Sequence, residues 1–234
     1  RVAEDREQDA SGLLAFDPAK LSPYVSQGLL TKLTQITNSG YPNSPANEKF
    51  ILANRIRLEK IEGGVEAIAG WVKRCGHEGS RVATDIAREN AKYAGAFYAG
   101  VREAIQNHCT RNNHILAREL INKYVEQLVD NSEGLAVVGN YVSGLAKEST
   151  WVTTAKAVMQ KHPGLISYFS DGLAENLQQR ETRHVFSDVR TNFTELRTTE
   201  AGRTLINKAL LYAVENDPLH VASSFIDEAM RLAN

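Results

Sequence analysis

Residues Glu181–Arg197 read ETRHVFSDVRTNFTELR, and the stretch breaks naturally every seven residues into ETRHVFS, DVRTNFT and ELR. Glu181, Asp188 and Glu195 share one register, and Arg183, Arg190 and Arg197 share another. Thr182, Phe186, Val189, Phe193 and Leu196 follow each other at alternating steps of four and three. Such steps place side chains in a seam along one side of an α-helix, here flanked by an acidic row and an arginine row. The stretch predicts one continuous amphipathic helix. Barely two heptads are present, too few for an independent coiled coil, so the seam is expected to pack into the protein's own core.

The same 3.6-residue periodicity extends in both directions. It predicts helices at Pro23–Thr37, Pro45–Ile61, Val65–Arg74, Ser80–His108, Asn113–Leu128, Glu133–Lys147, Trp151–Lys161, Gly164–Gln178, Glu200–Glu215 and Pro218–Leu232. Ser22-Pro23, Ser44-Pro45 and Asp217-Pro218 each set a capping side chain before a proline suited to a first helical position. No proline interrupts residues 46–162, so long helices can run there. Gly134, Gly139 and Gly144 weaken the helix that carries them, each by about 1 kcal/mol relative to alanine. Strict alternation and Asn-Gly or Asp-Gly hairpins between β-branched runs are missing. The reading is an all-α fold, a compact bundle of nine to eleven helices. No period of 30–45 residues is visible, so no regular repeat array is expected. Residues 1–20 are a polar N-terminal segment, partly disordered or a short helix. Residues 21–234 form one helical domain, with any subdivision near Ser149.

The bulk numbers narrow the function. The chain has 234 residues, with 27 basic and 28 acidic side chains and a net charge of −1, which disfavours a non-specific grip on nucleic acid. Hydrophobic residues make up 42%, too many for a disordered chain, yet no run approaches the roughly 18 apolar residues that span a bilayer. The polar start RVAEDREQDASG is not a signal peptide. Two cysteines, Cys75 and Cys109, cannot build a disulfide scaffold, and a reducing intracellular compartment is expected.

Motifs for chemistry are scarce. The chain has no G-x-S-x-G elbow, no phosphate loop, no G-x-G-x-x-G and no HExxH. Cys75 with His77 and His108 with Cys109 bracket one predicted helix of about 40 Å, too far apart to share a metal. Asp85 and Glu89 sit one turn apart among Arg81, Arg88 and Lys92, as on a salt-bridged surface. No cofactor, no metal site and no catalytic residue is assigned. Ala87, Ala91, Gly95 and Ala99, four apart, would let another backbone approach closely, either within the fold or in a homodimer.

Arg180, Arg183, Arg190, Arg197 and Arg203 are the candidate partner-binding residues. The guanidinium fork binds carboxylate or phosphate at two points. The interleaved acids favour a protein partner over nucleic acid. The expected function is therefore a non-enzymatic helical protein–protein interaction domain, a module of a larger protein such as a secreted effector or a viral structural protein. Two alternatives stand beside it. One is an enzyme whose site is assembled from distant helices. The other is a phosphate or nucleic-acid binder using the Arg180–Arg203 face.

Overall fold

The computed structural model describes residues 18–76, 80–111, 113–180 and 182–216, the side chains of 18–22 and 182–184 excepted. Twelve α-helices and one 3-10 turn make up the fold, with no strand among the described residues. The all-α reading holds. The helices are α1 (Pro18–Thr37), α2 (Pro45–Leu58), α3 (Gly64–Gly76), α4 (Arg81–Glu89), α5 (Ala91–Thr110) and α6 (His114–Val129). They continue with α7 (Ser132–Ala146), α8 (Val152–Lys161), α9 (Ile166–Gln178), α10 (Thr182–Thr191), α11 (Phe193–Leu196) and α12 (Glu200–Asn216). Of the expected N-terminal segment 1–20, residues 1–17 lie outside the described residues and the rest begins α1, and the expected helix Pro218–Leu232 lies outside the described residues.

Twelve helices exceed nine to eleven because two asparagines each divide an expected helix. Asn90 is extended (φ −144°, ψ 111°), and its side chain accepts the Lys92 N–H at 3.2 Å. It therefore ends α4 and caps α5, replacing the expected single helix Ser80–His108. Asn192 does the same to the heptad segment. Its backbone leaves the helical region (φ −116°, ψ 25°), and its buried side chain donates to the Asp188 carbonyl at 2.9 Å and accepts from Lys156 Nζ at 2.8 Å. In both places the apolar period runs on through the break. Asparagine is only a weak helix breaker by propensity, but its short amide competes for backbone partners. At the other end, α1 already includes Pro18, so Pro23 lies inside the helix and does not start it.

The described residues fall into two compact units divided between Ala104 and Ile105, and Ser149 lies inside the second. In the first, α1 packs on α2 and α3, and α3 packs on α4. Leu33, Ile51, Leu58, Ile68 and Trp71 are fully buried there. Trp71 donates its indole N–H to the Pro42 carbonyl at 2.9 Å. In the second unit α7 is central, with α6, α8 and α9 all packed on it, while α12 lies against α9, α10 and α11. Two of the glycines that weaken α7 as an isolated helix, Gly134 and Gly139, allow this crowding. A Cβ on Gly139 would meet the Tyr168 ring at 2.5 Å, and one on Gly172 of α9 would meet the Ser143 carbonyl oxygen at 2.3 Å.

One corner recurs. Gly64, Gly134 and Gly202 each sit six residues after a buried leucine, Leu58, Leu128 and Leu196. A Cβ on those glycines would stand 1.8, 2.0 and 2.0 Å from the leucine's carbonyl oxygen. The chain thus turns from one helix into the next with backbone against backbone, which only glycine permits. Seven residues before each leucine lies another buried β-branched side chain: Ile51, Ile121 and Val189. The corners lie 70 and 68 residues apart, beyond the 30–45 residues at which helical repeats usually recur.

Burial raises the Tyr141 hydroxyl on α7 to a pKa of about 12, partly offset by Arg118, with Cys109 adding to the rise. The folded state therefore holds this proton more tightly than the unfolded chain, whose tyrosines ionise near pH 10. Stability from this group is complete below about pH 10 and is lost as pH rises toward 12. Thermal melts followed by circular dichroism should fall over that window, and Tyr141→Phe should flatten the fall.

Candidate functional site

The structure does not assemble the arginines into one row. Arg190 ends α10 and Arg197 follows α11, on opposite sides of the Asn192 break. Arg180 is partly exposed, paired with Asp188 at 2.9 Å and donating to the Ser149 hydroxyl. Arg203 donates to the Arg197 carbonyl at 3.1 Å, which sets these two exposed residues side by side. Arg190 is exposed and has no ion pair among the described residues. The Arg183 and Glu181 side chains lie outside the described residues.

The acids of the heptad are used within the fold. Asp188 holds Arg180. Glu195, largely buried, meets Lys156 of α8 at 2.9 Å, and the same ammonium reaches Asn192. Their interleaving therefore does not produce an alternating surface. It leaves Arg190, Arg197 and Arg203 outward.

A second feature has no signature in the sequence. Helices α6 and α8 flank α7 and run in the same direction, leaving an open groove of about 520 Å³ between them. Ile121, Val125, Ala157 and Val158 give it an apolar bed, and Arg118, Lys123 and Lys161 line it as well. None of these three cations makes an ion pair among the described residues. Lys123 instead lies over the Tyr124 ring, 5.0 Å from its centroid. Glu126 at one end faces His162 at 3.8 Å.

At the other end a shallow hollow of about 610 Å³ is lined by Arg111, Asn113, His114, Ile115, Glu148 and Trp151. Asn113 caps α6 through the Leu116 N–H, which fixes His114 in the first helical turn. His114 Nε2 meets the Glu148 carboxylate at 3.2 Å, and its ring lies 6.4 Å from that of Trp151. A carboxylate accepts, so Nε2 carries the proton. The remaining basic nitrogen, Nδ1, is buried without a partner. The pair ties the first turn of α6 to Glu148.

The other sequence candidates are structural. Asp85 lies between Arg81 (3.8 Å) and Arg88 (3.6 Å), and Glu89 pairs with Arg55 at 2.9 Å. Cys75 is buried, and burial raises the thiol pKa of half-buried Cys109, which keeps it protonated. His77, Asp227 and Glu228 lie outside the described residues. No group of three metal-ligating side chains occurs among the described residues. No described helix is long and apolar enough to cross a membrane. The row of small residues is divided: Ala87 is buried on α4, while Ala91 and Gly95 are exposed on α5. The close approach falls instead at Gly100, where a Cβ would stand 1.9 Å from the Lys73 carbonyl oxygen.

No family model matches the chain, and neither curated proteins nor solved structures give a match.

Proposed function

We propose that the chain is a non-catalytic helical recognition module whose α6–α8 groove receives an acidic amphipathic helix of a partner protein. The observation that carries this is the unpaired charge in the groove. Arg118, Lys123 and Lys161 stand above an apolar bed and make no ion pair among the described residues, and the two acids that also line the groove are Glu119 and the histidine-facing Glu126. A helix lying in such a groove buries an apolar stripe and sets carboxylates against the cations. The α6 helix has 16 residues, about 24 Å at 1.5 Å per residue, room for roughly four turns of a ligand helix.

A labelled 16-residue peptide with a leucine stripe and glutamate flanks should bind, as read by fluorescence anisotropy. The same peptide with lysine flanks should bind at least about tenfold more weakly. Arg118→Glu with Lys161→Glu should reverse the preference. Equal binding of both peptides, or binding untouched by the two substitutions, overturns the reading.

Arg190 and Arg203 support a second contact with Arg197 beside them, because both are exposed and make no ion pair among the described residues. Replacing them by glutamate should weaken partner capture and leave the melting temperature nearly unchanged. Retention on heparin that falls steeply with salt, and is lost in that variant, would instead favour the phosphate-binding alternative.

A further inference from the structure

One helix junction is completed twice among the described residues, and its two halves recur separately on α12 and α1, where no described helix covers them. The corner glycines Gly64, Gly134 and Gly202 set a common register. Nine residues after the first two stand Lys73 and Ser143, whose carbonyl oxygens are crossed by Gly100 of α5 and Gly172 of α9, at 1.9 and 2.3 Å from an added Cβ. Three residues before the crossing glycines, Phe97 and Phe169 are 1% and 0% exposed. Twelve residues after the corners, Gly76 and Ala146 are buried under the crossing helix.

In the third copy the crossed helix is α12, and its corresponding residues are Leu211 and Val214. Their side chains are 64% and 54% exposed, so no described helix crosses them. Helix α1 carries the crossing half, and no described helix lies under its first half. Residues 21–33, LSPYVSQGLLTKL, match residues 165–177, LISYFSDGLAENL, at Leu21/Leu165, Tyr24/Tyr168, Ser26/Ser170, Gly28/Gly172, Leu29/Leu173 and Leu33/Leu177. Leu33 is buried, as Leu177 is, so the second half of α1 is already packed. In its first half Gly28 has nothing within 4 Å, and Val25, in the place of Phe97 and Phe169, is 54% exposed.

The two open faces are complementary halves of one junction. We propose that α12 of one copy of this chain receives α1 of a second copy, with Gly28 over the Leu211 carbonyl and Val25 against Val214. Charge agrees. The inner junctions are tied by Lys73–Glu103 (3.0 Å) and Lys147–Glu175 (2.8 Å), each acid three residues past its glycine. The outer one sets Glu215, in the place of Lys147, near Lys32, four past Gly28, with the polarity reversed. Both are exposed and without ion pairs among the described residues. Such an interface joins unlike surfaces, so copies add head to tail instead of stopping at a symmetric dimer.

Sedimentation velocity on the whole chain, from about 1 to about 300 μM, tests this in the range where small interfaces populate. Mass rising with concentration past the dimer is expected. Gly28→Leu blocks the crossing face and Val214→Glu the crossed one, and each should weaken association by about tenfold or more. Mixing the two variants should restore a dimer and nothing larger, because only one intact junction can form. Leu211→Lys replaces Val214→Glu if the latter melts early. A chain that stays monomeric throughout overturns the proposal, as does association unaffected by both substitutions or a mixture that fails to pair. Arg118→Glu with Lys161→Glu should leave assembly unchanged, so failure here is distinct from failure of groove recognition.

Discussion

Gly172→Ala lowers the stability of the second unit by about 3 kcal/mol and its melting temperature by about 10 °C. A single methyl group ordinarily stabilises a helix at a glycine, by about 1 kcal/mol. Here the sign reverses. The new Cβ would stand 2.3 Å from the Ser143 carbonyl oxygen, 2.9 Å from its carbonyl carbon and 2.9 Å from its Cα, all of them backbone atoms of the central helix. No rotamer change relieves that contact, so α9 and α7 must separate and lose packing along their length. Gly144→Ala, on α7 itself, is the control, since its Cβ would meet nothing within 4 Å. It should raise stability by about 0.5–1 kcal/mol. Trp151 belongs to the second unit and Trp71 to the first, so fluorescence in a Trp71→Phe background follows the second unit alone. Equal effects of the two alanine substitutions would refute the backbone crossing.

Trp71→Ala costs the first unit about 4 kcal/mol. The indole is fully buried, so truncation leaves a large cavity in α3, which packs on both α1 and α4. The loss also strands the Pro42 carbonyl that accepts its N–H. Trp71→Phe separates the two contributions. It keeps most of the ring volume and removes only the hydrogen bond, for about 1–2 kcal/mol. Chemical denaturation followed by circular dichroism should place Phe well above Ala. A Phe variant as unstable as Ala would show that the hydrogen bond, and not the cavity, dominates.

Most helix ends were legible because their signals are local. Ser44 before Pro45 and the helix start at Asn113 act within a few residues and need no knowledge of the fold. The two breaks at Asn90 and Asn192 were not legible. Each asparagine sits inside an unbroken apolar period, and at Asn192 the partner that helps hold the kink, Lys156, is distant in sequence. The arginine candidates show the same limit. Their charges and spacing could be read, but Arg180 is consumed by Asp188 and Ser149, and the row is cut in two. The α6–α8 groove could not be read at all, because its lining comes from two helices brought together only by their common packing on α7.

The opening heptad gains its meaning from the same contrast. Val189 and Leu196 are the third instance of a pair made earlier by Ile51 with Leu58 and Ile121 with Leu128. Val189 and Leu196 of its seam enter the core, as the sequence predicts, although Asn192 divides the seam between α10 and α11, and each instance leads into a glycine corner. By itself the sequence determined the helical class, most caps and the inward seams, because propensity, capping and amphipathic period are properties of neighbouring residues. Only the tertiary structure decided which glycines carry backbone crossings, which charges are spent internally, and which faces of α1 and α12 no described helix covers. Those properties depend on what lies across a contact from residues tens of positions away, and no local pattern encodes it.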